Sequence, residues 1–137
     1  MWVFNEPIII EAQPVAMGRP RFTRTGRVYI DKQTKLGVER IADAVAALEP
    51  VDGPVYLLCT FVHVRPSRLN RKKDSAKRIP KTTKPDIDNL LKTVMDGLTR
   101  GQAWHDDNQV CVVRCEDYYA AKDELPKTII QIGLPNA

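Results

Sequence analysis

Residues 55–64 constrain the fold more than any other stretch, because almost every position in this run is apolar. The run follows Pro50 and Gly53, which end the preceding helical pattern, and it is too short to cross a membrane. Continuous rather than alternating apolarity predicts a central β-strand covered on both faces. With 137 residues, the chain is long enough for one domain with one core and too short for two.

The remaining patterns complete the element order. Residues 34–49 show helical spacing, with Thr34 as the N-cap and a buried side made of Leu36, Ile41, Val45 and Leu48. Residues 14–30 are typical of a hairpin or long loop with a turn near Thr25-Gly26. Strand-like stretches rich in β-branched residues lie at 3–12, 109–119 and 128–132. This order predicts an α+β fold, in which a small mixed β-sheet carries two helices on one face and residues 1–137 form one domain.

A second helix is predicted where carboxylates collect. Asp88 can act as the N-cap of a helix that starts at Asn89. Gly101 follows the last apolar position and is a plausible stop. One buried stripe is formed by Leu91, Val94, Met95 and Leu98. Asp88, Lys92 and Asp96 follow each other at i+4 spacing on another face, so this helix presents carboxylates and a lysine together.

Four aspartates in this region suggest a metal site. Asp86 and Asp88 are two positions apart, and such side chains point the same way in an extended segment. Asp106 and Asp107 lie on the loop that leaves the helix, and this loop can fold back toward the pair. Magnesium and manganese prefer oxygen ligands, usually a few carboxylates with water and substrate phosphate. A helix cap and a solvated turn are the structural alternatives, and the nearby lysine and basic stretch favour the metal site.

Residues 65–84 form the sharpest shift in composition. They hold nine of the 21 basic residues against a single acid, Asp74, and show no apolar periodicity. We therefore expect a flexible loop that holds a polyanion against the metal site, although a charge run can also be only solvated. The basic residues expected to contact this polyanion are Lys72, Lys73, Arg78, Lys81 and Lys84.

A second basic stretch lies in the predicted hairpin. It carries Arg19, Arg21, Arg24 and Arg27, with no acid until Asp31. Arginine suits phosphate because its planar fork donates two parallel hydrogen bonds. The alternative role of these arginines is a solubilising face. The net charge of +4 and the pI of about 9 agree with an anionic partner.

Other residue types narrow the chemistry. The three cysteines, Cys59, Cys111 and Cys115, lack C-x-x-C spacing and are expected to be buried free thiols. His63 lies in a strand-like run and is expected to be structural, while His105 adjoins the acidic loop. No membrane-spanning run or signal peptide is apparent, so we expect a cytoplasmic protein without membrane association.

Three segments carry a resemblance to a known family. They are GRPRFTRTGRVY at 18–29, KPDIDNLLKTVMDGL at 84–98 and WHDDNQV at 104–110. The sequence resembles the RusA-type endodeoxyribonucleases of phages and prophages, which resolve Holliday junctions, and the similarity spans residues 8–133. The resemblance implies that Asp86, Asp88 and Asp107 bind Mg²⁺ or Mn²⁺, with Asp106 in a less central role. It also implies that Lys92 assists catalysis and that the enzyme is a homodimer.

The resulting hypothesis is a metal-dependent nuclease that hydrolyses phosphodiesters in four-way junctions or related branched DNA. Two alternatives stay open at this point. A non-catalytic module for branched DNA would use the aspartates only as caps. A metal-dependent enzyme acting on nucleotides or nucleotide sugars would call for a phosphate-cradling glycine loop, and the sequence contains none.

Overall fold

The computed structural model describes residues 1–136. Two short 3-10 turns lie at Ser67–Leu69 and Asp107–Gln109. The elements are β1 (Trp2–Phe4), β2 (Ile8–Ile10), β3 (Arg21–Phe22), β4 (Val28–Tyr29), α1 (Lys32–Val45), β5 (Val55–His63), β6 (Ile79–Pro80), α2 (Ile87–Arg100), β7 (Val110–Tyr119) and β8 (Lys127–Pro135).

The main sheet has six strands and is mixed. Its order is β1-β8-β5-β7-β6, and β2 also pairs with β8. β5 runs parallel to β7 and antiparallel to β8. A parallel pair requires a long crossover, and here the basic segment and α2 provide it. β3 and β4 form a separate two-stranded hairpin.

Both helices cover one face of this sheet. Val94 and Leu98 of α2, Ile41 and Val45 of α1, and alternate residues of β5 belong to one buried cluster. The two helices approach closely at Gly97, because glycine has no Cβ. A Cβ at this position would lie only 2.5 Å from the Cβ of Ile41. The prediction of an α+β fold with a mixed sheet and two helices on one face is confirmed.

The predicted strand at 55–64 is central, as expected, but its second face is covered only in part. Val55, Leu57 and Cys59 are buried under the helices, whereas Tyr56 and Leu58 on the other face are half-buried. The predicted strand at 3–12 is divided into β1 and β2, which both pair with β8.

The boundaries and buried side of α1 differ from the sequence prediction. Asp31, not Thr34, is its N-cap, and the Asp31 carboxylate accepts the Thr34 backbone N–H at 2.8 Å. Leu36 and Leu48 were predicted to be buried but are 47% and 45% exposed, while Val38 is buried instead. Val38, Ile41 and Val45 share the buried face of α1, whereas Leu36 lies on the opposite side of the helix and Leu48 lies beyond its last residue.

Among residues 1–136, no helix combines the length and the apolar content that a membrane crossing requires. All three cysteines are free. Cys59 is buried as predicted, whereas Cys111 is exposed, because its side chain falls on an outward position of β7.

Candidate active site

The acidic end of α2 is the first part of the site. The helix begins at Ile87, so Asp86 is the N-cap and the prediction of Asp88 as cap is wrong by two residues. The Asp86 side chain makes no capping hydrogen bond, and both Asp86 and Asp88 are exposed. The Asp88 carboxylate accepts only the local Asn89 backbone N–H, at 3.0 Å. Helix formation therefore leaves acceptor oxygens free on both carboxylates.

An exposed row continues from this end along α2. Asp88, Lys92 and Asp96 are all exposed and lie one turn apart, while the opposite side of the helix is buried. Successive members are separated by about 6 Å along the helix axis. Among residues 1–136, the ion pairs do not include Lys92, so its ammonium group is not engaged by either neighbour.

The loop after α2 places the second carboxylate pair. Trp104 is fully buried, and its indole N–H donates to the Thr99 hydroxyl at 2.8 Å, which fixes the loop to the helix. Asp106 then caps the 3-10 turn by accepting the Asn108 backbone N–H at 2.9 Å. The Gln109 side chain anchors the same turn to the backbone carbonyl groups of residues 51 and 53.

The carboxylates of Asp96 and Asp106 lie close enough to Asp107 to influence its pKa. Hydrogen bonding with Asp106 raises the pKa of Asp107, and the nearby charge of Asp96 raises it further. The Asn108 backbone N–H holds the pKa of Asp106 below its ordinary value. The sequence analysis placed Asp96 on the acidic face of the helix but did not assign it to the metal site, and the structure adds it to the residues near Asp107. A cation placed among these oxygens would relieve their repulsion.

A groove links the acidic loop to the arginine hairpin. It encloses about 950 Å³, and its walls come from α1, α2, β4 and the loop at 105–107. Tyr29 and Ile30 face this groove from the hairpin side, and Asp96 and Asp107 face it from the other side. Nearby in the hairpin lie four exposed arginines, Arg19, Arg21, Arg24 and Arg27.

The structure does not bring every predicted ligand to one point. Asp107 lies near Asp96, whereas Asp86 and Asp88 lie at the start of α2. Within residues 1–136, no three Asp, Glu, His or Cys side chains converge in a way that could hold a metal ion. The oxygen donors nevertheless suit Mg²⁺ or Mn²⁺, because magnesium in phosphate-processing sites is usually held by one or two carboxylates, with substrate phosphate and water completing its shell.

The basic segment at 65–84 is more ordered than the sequence predicted. The guanidinium group of Arg65 donates to four backbone carbonyl groups, those of Leu69, Ser75, Lys77 and Ala120. β6 pairs with β7 and closes the segment. An arginine fork can bind several carbonyl groups at once, so one side chain organises the loop.

The predicted DNA-contacting residues in this segment fall into three groups. Lys72, Lys73 and Lys84 are exposed. Arg78 is held by Glu124 through hydrogen bonds of 2.6–3.2 Å. The Lys81 side chain is only 3% exposed and its ammonium group is bound internally, so it is unavailable to a phosphate and leaves the predicted DNA-contacting set.

The two histidines lie in different surroundings, one inside the protein and one at its surface. His63 is buried and its Nε2 lies 2.7 Å from the Asp117 carboxylate, which agrees with a structural role. His105 is exposed and its Nε2 lies 2.7 Å from Asp52, beside the acidic loop. The sequence analysis did not identify Asp117. An acidic residue within a valine-rich strand was the feature that could have pointed to it.

Comparison with known proteins decides the family. The family model for endodeoxyribonuclease RusA matches residues 11–133, which is most of the chain. The chain belongs to the RusA family. A curated relative from Bacillus subtilis (strain 168), the uncharacterized protein YqaN, is 29% identical over 135 residues, and the alignment covers 90% of this chain and 94% of that protein.

The resemblance seen in the sequence is thereby confirmed. RusA membership implies a Holliday junction resolvase type of nuclease activity and branched DNA as the substrate. The exposed aspartates and the basic segments described above lie within the matched residues 11–133 of this chain.

Proposed function

We propose that this RusA-family protein is a Mg²⁺- or Mn²⁺-dependent, structure-selective endodeoxyribonuclease that resolves Holliday junctions by phosphodiester hydrolysis. One observation carries this proposal. An exposed row of carboxylates with one lysine on α2, extended by Asp106 and Asp107, is flanked by exposed arginines and lysines. Such a juxtaposition of acidic and basic surfaces suits a phosphate backbone held against a divalent cation.

In this proposal, Asp86, Asp88 and Asp107 hold one or two divalent ions, with Asp86 and Asp88 contributing from the start of α2 and Asp107 from the loop beside Asp96. Asp106 orients Asp107 through the 3-10 turn. A divalent ion bound there would lower the pKa of a water molecule and offset charge on the phosphate.

Lys92 is proposed to donate to the scissile phosphate or to the leaving oxygen. It lies one turn after Asp88 on the exposed row and is free of the ion pairs described above. A positioned ammonium group stabilises the charge that develops in the transition state. In the purely structural alternative, Lys92 forms a surface ion pair with Asp88 or Asp96, which would stabilise the fold by less than about 1 kcal/mol.

DNA contacts are proposed for the exposed basic side chains on both sides of the acidic row. In the hairpin these are Arg19, Arg21, Arg24 and Arg27, and in the basic segment they are Lys72, Lys73 and Lys84. Arg78 joins this set only if phosphate displaces Glu124. These contacts position the backbone and carry no sequence information by themselves.

We also propose a homodimer. The sheet face opposite the helices lacks a second layer within residues 1–136, and it carries Trp2, Phe4 and Tyr56 in edge-to-face contact at centroid distances of 5.1–5.5 Å. A second copy could cover this face, and a C2 dimer would present two equivalent sites to the two-fold symmetric junction. Light scattering after gel filtration measures the mass, and a monomer at micromolar concentration would contradict the dimer.

The nuclease proposal is tested on a synthetic four-way junction and on a linear duplex of matched sequence. Each is incubated with wild-type protein, with Asp88→Asn and with Asp43→Asn, in magnesium and in EDTA. Asp43 is an exposed aspartate on α1, so its variant makes the same chemical change away from the site. We expect paired, symmetric nicks in the junction from the wild type and Asp43→Asn only, and none in EDTA.

Tight junction binding without cutting by the wild-type protein would overturn the nuclease and favour the non-catalytic DNA-binding module. Equal cutting of the duplex would contradict the structure selectivity. Cutting that persists in EDTA would contradict the metal requirement.

A further inference from the structure

A buried ammonium group lies just before the acidic end of α2. The Lys81 Nζ contacts the carbonyl oxygen of Thr83 at 2.5 Å, the carbonyl oxygen of Pro85 at 2.9 Å and the Asp117 carboxylate at 3.5 Å. Two of the three N–H donors of the ammonium group are used by the carbonyl oxygens, and the Asp117 carboxylate supplies the opposite charge of an ion pair. A buried charge is tolerated only when it is paired and hydrogen-bonded, so this arrangement specifies one position for the Lys81 side chain.

The partner of Lys81 is anchored in the sheet. The Asp117 carbonyl on β7 accepts the Lys81 backbone N–H at 3.0 Å, and the Asp117 carboxylate is also bonded to His63 at 2.7 Å. The side chains of Asp117 and His63 are 8% and 3% exposed. Burial lowers the pKa of His63, whose Nε2 contacts the same Asp117 carboxylate.

These contacts fix the chain that enters the site. Besides the contact of its carbonyl oxygen with Lys81, Thr83 makes a second hydrogen bond, in which its hydroxyl lies 2.7 Å from the Tyr119 hydroxyl of β7. The carbonyl held by Lys81 belongs to Pro85, the residue that immediately precedes Asp86. On the other side, the Asp86 carbonyl accepts the first two backbone N–H groups of the helix turn, from Asn89 and Leu90. The Asp86 main chain is thus held from both directions.

The Asp86 side chain has no capping bond of its own to orient it. Its direction therefore depends on the main chain that carries it. We propose that Lys81 is a positioning residue, which holds the segment at 81–85 against β7 so that Asp86 is directed outward, ready to bind a divalent cation. This inference rests on the proposed function for the role of Asp86. It assigns to Lys81 an internal task in place of the DNA contact that its sequence context predicted.

The test uses a charge-neutral double variant, Lys81→Met with Asp117→Asn. A single Lys81 substitution would leave the Asp117 charge buried without its partner and could prevent folding. The matched control is Lys77→Met, which makes the same change at an exposed lysine of the same segment. Thermal melting confirms that each variant is folded before the comparison.

The first measurement is backbone amide hydrogen exchange without metal or DNA. We expect exchange across residues 82–90 to become at least about tenfold faster in the double variant, because the segment loses its internal anchor. We expect no change in the Lys77→Met control.

The second measurement is Mn²⁺ binding, followed by the electron paramagnetic resonance signal of the free ion. We expect the Mn²⁺ dissociation constant to rise by about ten- to a hundredfold in the double variant. A loss of this size is typical when a residue that orients a metal ligand is replaced. On a junction at limiting Mn²⁺, kcat should fall while KM for DNA stays the same, and excess Mn²⁺ should restore kcat.

Unchanged exchange at 82–90 together with unchanged Mn²⁺ affinity would overturn the role of Lys81. A rise in KM for the junction with unchanged kcat would also overturn it, because that result assigns Lys81 to DNA binding. If the wild-type protein cuts no junction, the proposed function fails instead. The exchange comparison would still decide whether Lys81 holds the segment, because it requires neither metal nor DNA.

Discussion

We predict that the ion pair between Arg78 and Glu124 stabilises the folded protein at neutral pH and loses this effect in acid. The Arg78 guanidinium binds the Glu124 carboxylate at 2.6–3.2 Å and joins the basic segment to the loop before β8. This hydrogen bonding lowers the pKa of Glu124 from 4.5 to about 2, with smaller support from the Ala121 backbone N–H and the charge of Lys127. Arg78→Gln removes the main cause of the shift.

The size of the effect follows from the pKa and the exposure. Because one pKa unit corresponds to about 1.4 kcal/mol, the fall from 4.5 to about 2 sets an upper limit of roughly 3.5 kcal/mol. The Glu124 side chain is 14% exposed but that of Arg78 is 36% exposed. Screening by water at Arg78 therefore reduces the expected loss in Arg78→Gln to about 1–2 kcal/mol at pH 7.

The pH dependence has a definite sign. Since the pKa of Glu124 is lower in the folded protein, the pair stabilises above pH 4.5 and loses its effect as the pH falls toward 2. Urea unfolding of wild type and Arg78→Gln at pH 7, 4 and 3 measures the free energy of unfolding. Their difference should shrink with each step. Glu124→Gln is the partner variant, and a double-mutant cycle with no coupling at pH 7 would refute the reasoning.

Three further predictions concern packing and DNA binding. Gly97→Ala should lower the free energy of unfolding by about 1–2 kcal/mol, because the helix-propensity gain is outweighed by overpacking against Ile41. Thermal melting measures it, and a stabilised variant would contradict the close approach of α1 and α2. Trp104→Ala should cost about 3–5 kcal/mol, because it empties a fully buried position. Urea unfolding that shows less than half of this loss would contradict that estimate. Lys72→Gln with Lys73→Gln should reduce the slope of log K against log salt by about 2, or about 0.9 for each lost phosphate contact. Binding to a junction in EDTA at several salt concentrations measures that slope, and an unchanged slope would remove both lysines from the DNA surface.

Patterns within one element were predicted well from the sequence. The acidic face of α2 follows from the i+4 spacing of Asp88, Lys92 and Asp96, and all three are exposed. The turn at Thr25-Gly26 is present, and Gly26 adopts a φ of +83°. Helix starts were less accurate, because Asp31 and Asp86 compete with residues two or three positions later for the N-cap, and only the path of the preceding chain selects between them.

The buried polar cluster could not be predicted from the same patterns. Lys81 lies among exposed basic residues and shares their composition, so charge density assigned it to the DNA surface. Its burial depends on β6 pairing with β7, which brings Lys81 to Asp117. Likewise, Asp96 meets Asp107 only because the buried Trp104 folds the loop back onto α2.

The sequence by itself determined both helices and most of the strands, the acidic helix face and the two basic stretches, because these depend on the spacing of neighbouring residues along one chain segment. The family also follows from the sequence, since its motifs lie in short segments. The tertiary structure alone decided which charges are free for DNA and which are held inside. That decision depends on strand pairing and on burial, which bring together groups far apart in the chain and which no local pattern encodes.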